Sequence, residues 1–184
     1  SSGWELSAIP LFIWMGEIIF RTDISDRLFR GLSVVFDKVP GRLLHVNVMG
    51  CTMFAAVSGS SAATTATVGQ ITTTELAHRG YDQKLAIGSL AGAGSLGFLI
   101  PPSIIMIIYG ILAETSIARL FAAGILPGLM IAGLYMAYIA IAALMNPEKA
   151  PAMRETLTIR DRLAGLWSLY PIVILMTIVL GAIY

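Results

Sequence analysis

The stretch "SGSSAATTATVG", Ser58–Gly69, decides how this chain must fold. Its twelve residues include six with hydroxyl groups and none with a charge, and they lie inside a long apolar region. The stretch is too polar for a plain transmembrane helix, and its apolar surroundings make an ordinary surface loop equally unsuitable. Its hydroxyl and backbone groups therefore need partners within the protein.

The overall composition indicates whether water or a lipid bilayer surrounds this stretch. Hydrophobic residues make up 57% of the chain and charged residues only 12%, with a mean hydropathy of +0.81. Globular proteins carry about 25% charged residues, so this balance is typical of a bilayer protein. The net charge of +1 provides no basic face for nucleic acid. The single cysteine, Cys51, excludes an intrachain disulfide and is predicted to be a small core residue.

Apolar runs of about 20 residues divide the chain into membrane segments. The predicted order is a transmembrane helix at 1–22, an interfacial amphipathic helix at 23–42, a hairpin at 43–78, a broken transmembrane helix at 85–113, a transmembrane helix at 115–146, a cytoplasmic linker at 147–162 and a transmembrane helix at 163–184.

The distribution of basic residues indicates which loops share a side of the membrane. Five Lys and Arg residues lie in 21–42, two in 79–84 and four in 149–162, and only Arg119 lies elsewhere. Short basic loops stay in the cytoplasm. All three basic loops face the same side only if 43–78 enters the membrane and returns, which predicts a re-entrant helical hairpin with its tip within "SGSSAATTATVG".

The composition of the stretch suits such a tip. Backbone that leaves helical geometry at membrane depth must be buried in protein or line a wet cavity. Gly59 permits a tight turn, Ser and Thr hydroxyls satisfy local backbone or a ligand, and small side chains let other helices approach.

The segment before the hairpin has helical periodicity. Ile24, Leu28 and Leu32 recur on one face, and Arg27 and Arg30 lie on others. The pattern predicts an amphipathic helix in the membrane interface. A soluble cytoplasmic helix is the alternative.

The third apolar region contains its own interruption. Four glycines precede the pair Pro101 and Pro102, so a straight helix is disfavoured and two half-helices are expected. Gly88 and Gly92 have the GxxxG spacing, which also occurs where helices merely pack. A hydroxyl-rich hairpin together with a broken span is, however, typical of a secondary-transporter site, where unwound carbonyls bind a cation and helix N-termini face an anion. The candidate oxygen ligands are those of Ser58, Ser60, Ser61, Thr64 and Thr65 on the hairpin and of Gly94, Ser95 and Gly97 on the broken span.

Three motifs carry a family resemblance. The segments "VSGSSAATTATVG", "GSLAGAGSLGFLIPPSIIMIIYG" and "FAAGILPGLM" resemble the large membrane (M, DctM-like) subunit of tripartite ATP-independent periplasmic (TRAP) transporters over about residues 10–145. The resemblance implies an all-α integral membrane protein of the bacterial inner membrane, multi-pass, containing one of two inverted repeats. In this fold residues 1–22 belong to the scaffold, and 43–78 and 85–113 to a transport domain that moves as an elevator.

The resemblance also implies a function. It predicts a sodium symporter that imports organic acids such as C4-dicarboxylates or sialic acid, working with a small membrane (Q) subunit and a periplasmic binding protein (P), with no cofactor besides sodium and no catalytic residue. The predicted sodium ligands are Ser58, Gly59, Ser60, Ser61, Gly94, Ser95 and Gly97. The predicted substrate contacts are Thr64, Thr65, Pro101, Pro102 and Ser103. The second hairpin and second sodium site are missing here, so this part alone should not transport, and 163–184 would open the second half.

Two other functions fit parts of the sequence. A transporter of the wider ion-transporter superfamily would share these features without a binding protein. An intramembrane serine protease is suggested by the G-x-S pattern at Gly59–Ser61, but a serine nucleophile needs a nearby base, and the two histidines, His45 and His78, lie at the predicted cytoplasmic ends of the hairpin.

Several polar residues have simpler interpretations than catalysis. Glu17 is expected to pair with Arg21 four residues on, and Arg119 to snorkel or pair with Glu114. His45 and Asn47 are expected to be hydrogen-bonded packing residues and His78 to be solvated. Thr115 or Ser116 is predicted to cap the following helix.

Overall fold

A computed structural model describes residues 24–151 and 159–183, together with Pro10, Leu11, Trp14 and Ile18. Its regular elements are all helical: α1 (Ile24–Val35), α2 (Leu43–Ser58), α3 (Ser61–His78), α4 (Gln83–Gly94), a 3-10 turn (Ser95–Phe98), α5 (Ile104–Leu112), α6 (Ile117–Met145), a second 3-10 turn (Pro147–Lys149) and α7 (Ile159–Ile183). The described chain is therefore all-α, as predicted.

Helix α2 lies at the centre of the fold. Nearly all of its residues are buried, including Leu43, Leu44 and Val48 with no exposed surface. It contacts α1, α3, α4 and α6. A helix that is apolar all round is expected in this position, because no face of it needs solvent.

Helices α2 and α3 form an antiparallel pair around a two-residue turn. Gly59 has a φ of 62°, in the left-handed region, and its amide donates to the Ala55 carbonyl at 2.9 Å. Ser60 is extended and caps α3, its hydroxyl accepting from the Ala63 amide at 3.3 Å. Glycine ends α2 and serine starts α3, each at the position where its chemistry is favoured.

The third apolar region is interrupted where its glycines and prolines lie. Helix α4 ends at Gly94, the 3-10 turn follows, and α5 begins only at Ile104. The Pro101–Pro102 bond between them is cis. The interruption leaves two half-helices joined by a nine-residue connection, Ser95–Ser103.

Helix α6 runs beside the broken region. Among the described residues it is the one helix both long and apolar enough to cross a membrane. Its 29 residues extend about 43 Å, which exceeds the hydrocarbon thickness of about 30 Å. Leu126, Leu134 and Leu144 on its surface are more than half exposed, as expected of side chains that face lipid or other protein segments.

Helix α1 lies within the predicted amphipathic segment 23–42 but ends at Val35, and its apolar face is covered by protein. Leu28 and Leu32 are buried, whereas Arg27 and Arg30 are exposed. The helix packs against α2, α3 and above all α7. Helices α1 and α7 approach closely at Gly31, where an added Cβ would lie 2.5 Å from Leu169 Cγ and 2.8 Å from the Gly165 carbonyl oxygen.

We expect Gly31→Ala to loosen the packing of α1 on α7. The new methyl group would meet a backbone oxygen that no side-chain rotation can move, so the expected loss of stability is about 1–2 kcal/mol. Thermal unfolding of the full-length protein in detergent measures it. Gly133→Ala is the matched control, because nothing lies within 4 Å of a Cβ at Gly133. An unchanged midpoint of thermal unfolding in Gly31→Ala would show that α1 and α7 can accommodate the added methyl group without loss of stability.

Most of the predictions for single polar residues agree with the structure. His45 is buried, its Nε2 lies 2.6 Å from the Pro40 carbonyl and its ring stacks on Phe36. His78 is exposed and Cys51 is buried. The Asn47 amide donates to Ser89 Oγ at 2.8 Å and so connects α2 to α4.

One capping prediction was wrong, and two predictions stay untested. Ser116 occupies the N-cap position of α6, but its side chain makes no capping bond, and Thr115 Oγ1 donates to the Ala113 carbonyl instead. The span from Trp4 to Phe20 falls largely outside the described residues, and the Glu17–Arg21 pair falls wholly outside them.

Candidate functional site

The hairpin tip is bound directly to the interrupted region. The Ser61 hydroxyl donates to the Gly94 carbonyl at 2.6 Å, which joins the first turn of α3 to the last residue of α4. The Ile104 amide donates to the Gly59 carbonyl at 3.1 Å, which joins the turn to the first residue of α5. Two segments more than thirty residues apart in sequence therefore meet through backbone and hydroxyl groups.

Glycines make this contact close. A Cβ added at Gly97 would lie 2.7 Å from Ser61 Cα and 2.8 Å from its nitrogen. A Cβ at Gly94 would overlap Thr65 Oγ1, and one at Gly59 would lie 2.9 Å from the Pro102 carbonyl oxygen. The backbones on both sides are nearly in van der Waals contact, and any side chain larger than hydrogen would separate them.

The hydroxyl groups of the hairpin form a local network. Ser58 Oγ and Thr64 Oγ1 are 3.0 Å apart and buried. Thr65 Oγ1 donates back to the Ser61 carbonyl at 2.8 Å. On the facing segment, Ser95 Oγ donates to the Gly92 carbonyl at 2.7 Å. These bonds satisfy the hydroxyl hydrogens locally and leave oxygen lone pairs available for a ligand.

Ser103 has a different environment from the other hydroxyl residues. It is fully buried at the N-cap of α5, and its Oγ has no hydrogen-bond partner. A buried hydroxyl without a partner costs about 1–3 kcal/mol, and a native protein offsets that cost with an ordered water, an ion, a ligand or a functional role. Ser103 follows the cis Pro101–Pro102 pair, and both prolines are buried.

Four helix ends converge at this place. Helices α2 and α4 arrive with their C-termini, which carry partial negative charge, at Ser58 and Gly94. Helices α3 and α5 depart with their N-termini, which carry partial positive charge, at Ser61 and Ile104. The site thus offers carbonyl oxygens to a cation and amide groups to an anion within one short region.

The candidate ligand atoms at this contact are neutral oxygens. The described residues contain no cluster of three or more His, Cys, Asp or Glu side chains that could hold a metal ion. Hydroxyl and carbonyl oxygens without a carboxylate match the way transporter sites hold sodium.

The structure places the twelve predicted site residues on the hairpin turn and on the interrupted region, and it brings Gly59 close to Pro102, Ser61 to Gly94 and Gly97, and Thr65 to Gly94. Ser58, Gly59, Ser60 and Ser61 form the turn and the first residue of α3, Gly94, Ser95 and Gly97 face them, and Thr64, Thr65, Pro101, Pro102 and Ser103 lie in the adjacent turns. What each residue binds stays a prediction.

Helix α6 contributes residues that the sequence reasoning missed. An added Cβ at Gly124 would lie 2.6 Å from the Leu99 carbonyl oxygen, and one at Gly128 would lie 3.0 Å from Ile100 Cγ1. These two glycines let α6 pack closely against Leu99 and Ile100 of the unwound connection. Their spacing of four residues, inside "FAAGILPGLM", is the small-xxx-small signal that would have identified them.

Comparison of the sequence with known proteins identifies its family. The family model described as "Tripartite ATP-independent periplasmic transporter, DctM component" matches residues 2–184. The chain belongs to the DctM family. The C4-dicarboxylate TRAP transporter large permease protein DctM of Pseudomonas aeruginosa is 39% identical over 188 residues, covering 100% of this chain and 42% of the relative.

Other DctM relatives carry different substrates in their names. The ectoine/5-hydroxyectoine TRAP transporter large permease protein UehC of Ruegeria pomeroyi is 38% identical, over 83% of this chain and 38% of its own length. The isethionate TRAP transporter permease protein DctMQ of Oleidesulfovibrio alaskensis is 36% identical, over 73% of this chain and 21% of its own length. The chain thus spans less than half the length of these relatives.

Membership of the DctM family excludes the protease hypothesis. The relatives are transporter permeases and the family is one of membrane proteins. The geometry agrees, because His78 lies 17 residues along α3 from Ser61, or about 25 Å. His45 lies 13 residues before Ser58 on α2, or about 20 Å. The relatives named here are permease proteins of transporters, and neither histidine lies close enough to Ser61 to act as its base.

Proposed function

We propose that this chain forms the first half of the permease of a sodium-coupled TRAP transporter that imports a small organic acid. The supporting observation is the closed contact between the hairpin tip and the interrupted helix, where Ser61 Oγ meets the Gly94 carbonyl at 2.6 Å. A cation bound at this contact would hold the tip against the α4–α5 connection. The anion site beside it would then be complete only when the cation is present.

The sodium ion takes its oxygens from both sides of the contact. Ser58, Ser60 and Ser61 supply hydroxyl or carbonyl oxygens from the turn, with the Gly59 carbonyl beside them. The carbonyls of Gly94 and Gly97 and the oxygens of Ser95 supply the facing side. The C-terminal ends of α2 and α4 add partial negative charge in the same place.

The organic acid binds next to the cation, at the N-terminus of α5. Ser103 Oγ is a buried hydroxyl without a partner, and the helix end adds partial positive charge. Thr64 and Thr65 lie on the first turn of α3, and Pro101 and Pro102 shape the opposite wall. The relatives named for C4-dicarboxylate, ectoine and isethionate differ in their substrates, so we propose the carboxylate class from the resemblance alone.

The site lies at membrane depth in this proposal. The 12 residues of α4 extend about 18 Å and the nine of α5 about 13 Å, so together they span one bilayer with the break near its middle. The hairpin 43–78 is then re-entrant, and it moves with 85–113 as an elevator past scaffold helices. The partners are a Q subunit and a periplasmic binding protein, and the relative DctMQ suggests that M and Q are fused in some members.

Uptake by proteoliposomes tests the proposal. The full-length permease with its Q subunit and binding protein is compared with its Ser60→Ala/Ser61→Ala variant, with and without a sodium gradient. Removing two hydroxyl ligands is expected to weaken the apparent sodium affinity about tenfold or more.

Thr74→Ala is the matched control, because Thr74 lies on the same helix, is exposed and donates its hydroxyl only to the Gln70 carbonyl. Its sodium dependence should equal that of the wild type. Uptake that ignores sodium, or a double variant with unchanged sodium affinity, would contradict the assignment of the ion to the hairpin tip.

A further inference from the structure

An open groove separates α4 from the C-terminal half of α6. Its volume is about 1010 Å³, and its walls include Lys84 and Gly88 on α4 and Tyr135 and Tyr138 on α6. The floor includes Ile139, which is 1% exposed. The groove lies on the side of the basic loops, away from the four converging helix ends.

The groove changes from polar to apolar along its length. Lys84, Asn146 and Lys149 lie at its loop end, and Leu134 and Tyr138 lie farther along α6. From Leu134 to Met145 the helix rises about 16 Å. This is about half of the 30 Å hydrocarbon core, so the apolar wall is as long as one leaflet is thick.

Two of the three charged residues that line the polar end are cationic. Lys84 and Lys149 are both exposed, and neither is ion-paired to another residue in the described part of the chain. Asp82, the one acidic residue among those lining the groove, accepts with its Oδ1 from the Leu85 amide at 2.8 Å as the cap of α4. Glu148 precedes Lys149 and is exposed, outside the lining residues. The backbone amide of Asp82 donates to the Lys149 carbonyl at 3.1 Å, and this bond holds the two lysine-bearing segments side by side.

The apolar part of the groove is exposed and could accommodate an elongated ligand. Leu134, Tyr138 and Met145 are 61%, 65% and 75% exposed. An added Cβ at Gly88 would have nothing within 4 Å, so the α4 wall is missing a side chain at this point. A hydrocarbon chain lying along α6 would bury this surface.

We infer that the groove binds an anionic phospholipid of the cytoplasmic leaflet. Its phosphate lies between Lys84 and Lys149, and an acyl chain runs past Gly88 and Tyr138 toward the bilayer centre. Charge complementarity at one end and an apolar wall of one-leaflet length support this occupant over a protein helix, which would need no cationic end.

Native mass spectrometry of the full-length permease tests the headgroup contact. Delipidated protein is titrated with phosphatidylglycerol and, separately, with phosphatidylcholine. The wild type is expected to retain phosphatidylglycerol preferentially, and Lys84→Gln/Lys149→Gln to bind it about 30-fold more weakly. Arg79→Gln is the control, since Arg79 lies in the turn between α3 and α4, does not line the groove and is already paired with Glu75 at 2.6 Å. This variant should bind phosphatidylglycerol as the wild type does.

Two further variants test the apolar wall. Gly88→Leu fills the groove and should reduce phosphatidylglycerol retention, whereas Gly133→Leu, an open glycine outside the groove, should not. A benzophenone amino acid at position 138 is expected to crosslink to phospholipid in native membranes. The inference would be overturned if the wild type bound phosphatidylglycerol and phosphatidylcholine equally, or if the lysine variant bound phosphatidylglycerol as well as the wild type does. A crosslink from position 138 to protein would overturn it too.

Discussion

Gly97→Ala is expected to abolish sodium-dependent uptake and to lower the stability of the permease by about 2–3 kcal/mol. The added methyl group would lie 2.7 Å from Ser61 Cα and 2.8 Å from Ser61 N. Both are backbone atoms at the start of α3, so no rotamer change relieves the overlap. The hairpin tip must move away, and the Ser61–Gly94 hydrogen bond would be lost with it.

The matched control is Gly88→Ala, on the helix before the break. A Cβ at Gly88 meets nothing within 4 Å, and alanine is the better helix former by about 1 kcal/mol. This variant should retain uptake and be as stable as the wild type or more so. Thermal unfolding in detergent and uptake by proteoliposomes measure the two effects. Normal sodium-dependent uptake by Gly97→Ala would show that the tip and the connection need not touch.

Gly59→Ala is expected to reduce stability by about 2–4 kcal/mol. Two costs add at this position. Alanine in the left-handed conformation at φ 62° costs about 1–2 kcal/mol, and a Cβ only 2.9 Å from the Pro102 carbonyl oxygen adds an overlap of about 1–2 kcal/mol. Moving the turn would also stretch the bond from the Ile104 amide to the Gly59 carbonyl. Uptake should fall together with stability.

Gly80→Ala serves to separate the backbone cost of Gly59→Ala from its steric cost. Gly80 also has a positive φ, 75°, but nothing lies within 4 Å of its added Cβ. This variant carries the backbone cost alone, about 1–2 kcal/mol, and should keep full uptake. Equal losses of stability and uptake in Gly59→Ala and Gly80→Ala would mean that the close approach to Pro102 is unimportant.

The helical elements could be predicted because their signals are local. The apolar run ending at Met145 predicts α6 to within a residue or two, since hydropathy sums over neighbouring residues. The break after Gly94 follows from glycines and prolines that weaken a helix wherever they lie. The turn at Gly59 follows from a glycine placed before a serine able to cap the next helix.

Other features could not be predicted, because they depend on which elements become neighbours. The amphipathic pattern of α1 is the same whether lipid or α7 covers its apolar face, and only packing places Gly31 against Gly165. Ser116 has the right chemistry for a cap, yet its side chain makes no such bond.

The sequence by itself determined that the chain belongs in a membrane, which family it resembles, and where the hydroxyl-rich turn and the following interruption lie. The family follows from the resemblance of three motifs, and the other features depend on composition and on the backbone preferences of single residues. The tertiary structure alone decided that the turn and the interruption touch, because the Ser61–Gly94 bond joins residues 33 positions apart. It also decided which hydroxyl lacks a partner: Ser58, Ser61 and Ser103 are alike in sequence, and only the packing of α3, α4 and α5 around them leaves Ser103 unbonded.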